Sequence, residues 1–161
     1  MNLRAAASLL ILALIAGCGF HLQGRQPLPE NLRRVLIDTA ETQSDFVSSL
    51  RNSLTSAGAV LVTQKGEGVA RIHVVRDEVT DRVLTVSSRN IPTDYELTYT
   101  VRVSVDGPDG KELMDAEDFT LTRIYSFDER KLLAKEREKD LLLTSMARDM
   151  TSVVLRRLGS L

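Results

Sequence analysis

Residues 95–106 leave this chain little choice of local structure. Tyr95, Leu97, Tyr99, Val101, Val103 and Val105 are apolar, and Glu96, Thr98, Thr100, Arg102, Ser104 and Asp106 between them are polar. Successive strand side chains point to opposite faces, so this alternation predicts a strand with one dry face and one wet face. A half-wet strand belongs in an antiparallel sheet. Gly107-Pro108-Asp109-Gly110 is turn punctuation. It predicts an antiparallel return carrying Phe119, Leu121 and Arg123 to Tyr125.

The neighbouring segments read less sharply. Arg33 to Asp38 suggests a short first strand. Thr42-Gln43-Ser44-Asp45 supplies helix-start residues, Phe46, Val47, Leu50 and Leu54 recur at helical spacing, and Gly58 stops the helix. Val60-Leu61-Val62 predicts a second strand, and Lys65-Gly66-Glu67-Gly68 a turn. Val69 to Val75 and Arg82 to Ser87 read as two β-rich pieces around a polar segment, Asp77 to Asp81. Arg89 to Asp94, with Asn90 and Pro92, reads as a loop. The last element is a long helix from about Glu129 to Leu158, with Leu132, Leu133, Leu141, Leu142, Met146, Met150, Val153, Val154 and Leu158 as its apolar stripe. The economical packing is an α+β fold, two helices on one face of a mostly antiparallel sheet.

The N-terminus is a separate unit. Arg4 is a short basic region, Ala5 to Ala16 an apolar one, and the sole cysteine, Cys18, follows Ala16-Gly17. The apolar run is shorter than the roughly 20 residues that a membrane-spanning helix needs. A lone cysteine after small residues resembles the lipobox of bacterial lipoproteins. This divides the chain into a signal peptide over 1–17, a lipidated tether over 18–30 containing Gly24, Pro27 and Pro29, and one domain over 31–161. An ordinary secretory signal with a chance cysteine is the blander reading. Acylation of Cys18 would consume the only thiol, so burial alone must hold the domain together, without disulfides or thiolate chemistry. Gly19, rather than Asp, points by the sorting pattern of such lipoproteins to the outer membrane.

Catalytic signatures are scarce. His21 and His73 lack the spaced companions of a metal site, so no metal and no cofactor is expected. No nucleophile elbow, phosphate-binding loop or dinucleotide fingerprint occurs, and Gly66 and Gly68 read as turn residues. The acidic groups Asp77-Glu78, Asp115 to Asp118 and Asp128-Glu129 read as solvated loops rather than paired catalytic carboxylates. The net charge of −1 argues against nucleic acid, and the lack of Trp against a stacking platform. Two basic residues stand apart: Arg89 in Ser87-Ser88-Arg89-Asn90 and Lys135 in Leu132-Leu133-Ala134-Lys135. An Arg fork and a Lys point charge both suit phosphate. Spacing alone does not pair them.

Cys18-Gly19-Phe20-His21-Leu22, Leu50-Arg51-Asn52-Ser53-Leu54, Arg89-Asn90 followed by Tyr95, and Leu133-Ala134-Lys135 followed by Asp140 together resemble the LptE family of LPS-assembly lipoproteins, formerly rare lipoprotein B. The resemblance covers most of the mature chain. It implies two helices on a sheet of about four strands. It implies a non-enzymatic role: a plug inside the lumen of the outer-membrane β-barrel LptD, binding lipopolysaccharide during its insertion into the outer leaflet. The lipid on Cys18, typically including palmitate, would anchor the plug at the periplasmic face of the Gram-negative outer membrane. The family's lipopolysaccharide-binding basic residues fall on Arg89 and Lys135. The chain ends soon after its long helix, without the polar tail of some relatives. Two alternatives are a free periplasmic scaffold docking through a sheet edge and, less favoured, an envelope hydrolase using His73, Ser104 and Asp106.

Overall fold

The computed structural model describes residues 28–127 and 132–161. Cys18, the signal segment, residues 18–27 of the tether and the expected helix start at Glu129 lie outside the described residues. A single 3₁₀ turn, Glu30–Leu32, precedes β1 (Arg34–Thr39), α1 (Asp45–Ser56), β2 (Val60–Val62), β3 (Ala70–Val86), β4 (Pro92–Asp106), β5 (Glu112–Ser126) and α2 (Leu132–Leu158). The strands form one sheet in the order β2-β1-β3-β4-β5. β1 runs parallel to both β2 and β3, and the β3-β4-β5 meander is antiparallel. The α+β expectation holds, with two departures: the sheet has five strands rather than about four, and it is mixed. The extra pairing arises because β1, α1 and β2 make a crossover unit that returns β2 beside β1 in parallel, a connection a helix can bridge but a tight turn cannot.

α1 shows how local chemistry sets an element. The Ser44 side chain accepts the Val47 N–H at 3.0 Å, satisfying one of the helix's free donors. Phe46, Val47, Leu50 and Leu54 are fully buried and face the sheet. At the other end Gly58 adopts φ +94°. Its N–H bonds to Thr55 O and that of Ala59 to Leu54 O, both at 3.0 Å, a Schellman closure that a left-handed residue permits.

β3 is where the sequence misleads. The two expected β-rich pieces are one strand of 17 residues that runs through the polar Asp77–Asp81 segment. Val74 pairs with Val103 but Arg76 with Arg102, so Val75 is an extra residue, a bulge that resets the alternation. Before it, Ala70, Ile72 and Val74 face the helices. After it, Asp77, Val79, Asp81 and Val83 do, aligned with Val101, Tyr99, Leu97 and Tyr95. The phase change hides the strand's period. The acidic groups Asp77-Glu78 and Asp115 to Asp118, expected as loops, therefore sit on β3 and β5. Strand β4 likewise begins earlier than expected, at Pro92.

The core lies between sheet and helices: Ile72, Leu97, Val101, Val103 and Val105 below, Phe46, Leu50, Leu54, Met146, Met150 and Leu158 above. Among the described side chains of α2 the buried ones run from Met146 to Leu158, Leu141, expected in the stripe, is 73% exposed, and Leu132 and Leu133 of that stripe lie outside the described side chains. Three ion pairs set how α2 lies: Lys139–Asp81 at 2.7 Å, Arg123–Asp149 at 3.1 Å and Arg157–Glu117 at 3.0 Å. Each exposed pair contributes only about 0–1 kcal/mol, so they align a helix that burial already holds. No described helix is long and apolar enough to cross a membrane.

Among the described residues no helix packs on the opposite face of the sheet, which is mostly polar. Arg82 bonds Glu96 at 2.6 Å, Arg102 bonds Asp118 at 3.3 Å, and the Thr100 and Thr120 hydroxyls approach to 3.4 Å. Truncating Leu97 to Ala in the core should reduce unfolding free energy by about 2–5 kcal/mol. Leu141→Ala should change it by less than about 0.5 kcal/mol. Urea unfolding of both variants checks the assignment of buried and exposed positions.

Candidate functional site

β1 pairs with β3 only as far as Val74, so beyond the bulge β3, β4 and β5 continue as a three-stranded arm. Its tip is the β3–β4 turn. The Ser87 N–H donates to Ile91 O at 2.8 Å, the Asn90 N–H to Ser87 O at 2.9 Å, and the Ile91 N–H to the Ser87 side chain at 3.2 Å. Asn90 takes φ +60°, a left-handed conformation that Asn tolerates better than most residues. Arg89 is an exposed residue of this turn.

Asp94 pins the base of the turn. Its carboxylate accepts from the Thr85 hydroxyl on β3 and from the Ser126 hydroxyl on β5, the latter at 2.7 Å, so one side chain ties three strands. These two donors hold the Asp94 carboxyl below its ordinary value of 3.8. The Phe127 N–H adds a bond to Thr93 O at 2.7 Å. On the helix side of the arm Tyr95 stacks on Tyr125, with centroids 5.4 Å apart, and meets Phe127 edge-on at 5.8 Å. Sequence reasoning passed over Asp94, because an Asp beside Asn90 and Pro92 reads as ordinary turn chemistry. The signal lay in the small hydroxyl residues opposite it.

Lys135 approaches the same end from α2. Lys139 reaches Asp81 on the arm and lies 6.0 Å from the centre of the Tyr125 ring. Lys135 is one turn nearer the helix N-terminus, about 6 Å further toward the tip. Its side chain is 18% exposed and bonds Glu138 at 2.7 Å. The structure thus brings Arg89 and Lys135 to one end of the molecule, from a turn and a helix 46 residues apart in numbering. That grouping comes from the docking of α2.

His73 lies elsewhere, on the open face near the other end. Its Nε2 is 3.0 Å from Asp106 Oδ2 and its Nδ1 3.3 Å from Asp38 Oδ2. Arg71 donates to Asp106 Oδ2 from Nε at 3.2 Å and Nη2 at 2.8 Å. The donors from His73 and Arg71 hold the Asp106 carboxyl below its ordinary 3.8. Ser104 is the cross-strand neighbour of His73. Both ring nitrogens face carboxylates, so neither is placed to take a proton from Ser104, and the cluster reads as a clasp joining β1, β3 and β4. Among the described residues no group of three or more His, Cys, Asp or Glu is arranged to hold a metal ion. A groove of about 490 Å³ between the helices is lined by polar side chains, among them Ser48, Ser49, Asn52 and Ser53 of α1 and Thr144 and Arg148 of α2.

Comparison with known proteins places this geometry. Residues 31–158 match the family model LptE, lipopolysaccharide-assembly. The LPS-assembly lipoprotein LptE of Pectobacterium atrosepticum is 22% identical, over 92% of this chain and 80% of the relative. That of Photorhabdus laumondii is 24% identical, over 98% and 87%. Among solved structures, the rare lipoprotein B of Shewanella oneidensis superposes with a TM-score of 0.69 at 21% identity, covering 79% of this chain and 94% of that one. The lipoprotein B of Nitrosomonas europaea superposes with a TM-score of 0.71 at 28% identity, covering 88% and 91%.

Two variants test the clasps. A carboxylate held below its ordinary value contributes stability that is present above that value and lost as pH falls through the lower folded one. Asp106→Asn should therefore be less stable than the native chain at pH 7, and the gap should close as pH falls below about 4 in thermal unfolding curves. Asp94→Ala should leave the melting temperature within a few degrees while raising amide exchange across residues 85–93, as local opening does.

Proposed function

Because the chain belongs to the LptE lipopolysaccharide-assembly family, we propose that it is a non-catalytic outer-membrane lipoprotein that plugs the LptD barrel and binds lipopolysaccharide there as it passes to the outer leaflet. Cys18 would carry the lipid that anchors it at the periplasmic face. Arg89 and Lys135 would take the phosphates. The observation that carries the ligand site is that both cations lie toward the same end of one arm, mounted on separate elements. An Arg fork supplies paired donors to a phosphate, and a Lys supplies a mobile point charge. Lys135 already holds Glu138, so a phosphate there must share the ammonium or displace a carboxylate.

The open face of the sheet supports the plug. A barrel lumen is polar and hydrated. A face of Thr, Ser and cross-strand ion pairs tolerates that setting, and its exposed large apolar side chains, Val60, Val75 and Ile124, stand singly on different strands. The scaffold alternative has one observation in its favour. β5 is an edge strand of 15 residues, long enough for strand addition. Glu112, Asp115, Glu117 and Asp118 crowd one end of it, a charged edge of the kind that discourages such pairing.

Recovery of a tagged form from detergent-solubilised outer membranes tests the plug: one large β-barrel protein should come with it in stoichiometric amount. Recovery alone, or with soluble periplasmic proteins only, would overturn the reading. Arg89→Asp with Lys135→Asp should weaken lipopolysaccharide binding about tenfold or more while leaving barrel recovery intact. Native binding should also fall between 0.05 and 0.5 M salt, since exposed charge pairs are screened over roughly 10 Å at about 0.1 M. Undiminished binding by the double variant would remove these residues from the site.

A further inference from the structure

The arm has an apolar side that its core does not use. Helix α2 lies over β4 and β5. The distal part of β3 extends past it, and Val79 and Val83, which face the helix side, remain 40% and 48% exposed. Leu84, 41% exposed, and Val86, 52% exposed, carry the apolar surface into the turn. Bare β-branched side chains on an unpaired strand edge are what soluble proteins ordinarily avoid. Behind them the strip is backed by Tyr95 and Tyr99 of β4, their cross-strand partners.

Charge is graded along this strip. At its inner end stand anions: Asp77, level with Val101, and Asp45 at the start of α1, whose carboxylate accepts from the Thr144 hydroxyl at 2.9 Å. Midway, Asp81 is answered by Lys139. At the outer end stand Lys135 and, three residues past Val86, Arg89. An anionic headgroup is thus repelled from the inner end and drawn to the outer one. An apolar chain attached to that headgroup can run back along β3 over Val86 and Val83 and, past the Asp81–Lys139 pair, reach Val79.

We propose that the Val79–Val83–Val86 strip is the acyl-chain subsite for lipopolysaccharide, contiguous with the phosphate contacts at Arg89 and Lys135. It deepens, and rests on, the proposed function. The chain's contribution to binding is then amphiphilic: cations hold phosphates at the tip, while one or more acyl chains cover valines that are otherwise wet. Burial of each Val side chain is favourable in proportion to the apolar area removed from water. Such a subsite would take a chain on an open surface rather than in an enclosed cavity, consistent with a ligand held briefly and passed on.

The test compares two probes, lipopolysaccharide and the same lipopolysaccharide stripped of its acyl chains with phosphates and sugars retained. Binding to the full chain is measured for native protein, for Val79→Thr with Val83→Thr, and for Arg89→Asp with Lys135→Asp. Threonine keeps the β-branch, so the strand should survive, and unchanged circular dichroism and barrel recovery verify it. The expected result is that the Thr variant binds intact lipopolysaccharide about tenfold more weakly yet binds the deacylated probe like native protein. The Asp variant should lose both probes. Native-like binding of intact lipopolysaccharide by the Thr variant would overturn the subsite, as would equal loss of both probes. Loss of barrel recovery with lipopolysaccharide binding retained would overturn it too, and make the strip a face that docks protein. Failure of the native protein to bind either probe would overturn the lipopolysaccharide reading, and this inference with it.

Discussion

The two-sidedness of β4 is the constraint on which the rest of the molecule depends. Among the long strands it alone is hydrogen-bonded on both edges along nearly its whole length, and its side chains divide strictly between a buried row from Leu97 to Val105 and a wet row from Glu96 to Asp106. The apolar core must therefore collect on one side. Both helices go there, and the other side is left to Thr, Ser and ion pairs. A single apolar residue placed in the wet row would need cover that no element of the fold supplies. A polar one in the buried row would sit unpaired beneath Met146 or Phe46, at a cost of several kcal/mol.

Legibility in the sequence followed the regularity of the physics. β4, α1 and its caps, and the α+β layering were readable because alternation, helical spacing and a stop glycine each act locally. β3 was not, since the bulge at Val75 breaks the period in its middle and the distal half faces only partial cover. The parallel place of β1 beside β3 was also invisible, because six residues of mixed polarity carry no mark of their partner. For the site, the residue types of Arg89 and Lys135 were recoverable from the family resemblance. Their sharing of one end was not: it follows from where Lys139 and Arg157 find acids, and Asp149 an arginine, on the sheet. Asp94 was overlooked for the opposite reason, since its role lies in two hydroxyls that sequence leaves far apart.

The histidine and the two lysines show how placement decides meaning for the same residue types. His73, Ser104 and Asp106 come together in space, as a hydrolase would require, yet Asp38 and Asp106 occupy both imidazole nitrogens and Arg71 fastens one of those acids. The result is a closed electrostatic clasp near the β4–β5 turn. At the other end Lys139 is likewise spent on Asp81, and its ammonium also sits against Tyr125. Among the described residues Lys135, one turn nearer the helix N-terminus, is paired with a helical neighbour three residues away, a weaker and more exchangeable kind of partner. Charge that is locked holds the fold, and in the proposed function the locally paired Lys135 is the one left to a ligand.

That division extends to rigidity. A phosphate contact made by Arg89 is only as good as the turn that carries it, because ordering a free side chain and loop on binding consumes part of the interaction energy. Here the turn is ordered in advance by Ser87, by left-handed Asn90 and by the three-strand tie at Asp94. The helix bearing Lys135 is fixed further along by ion pairs and by burial of its C-terminal half. Two cations mounted separately, on a turn and on a helix, hold a set spacing, which suits a ligand with more than one phosphate better than a small anion. The valine strip between arm edge and helix then has a defined direction relative to that headgroup. In the proposed function, the same wet and dry sides that fold the domain would give it an oriented surface for an amphiphile.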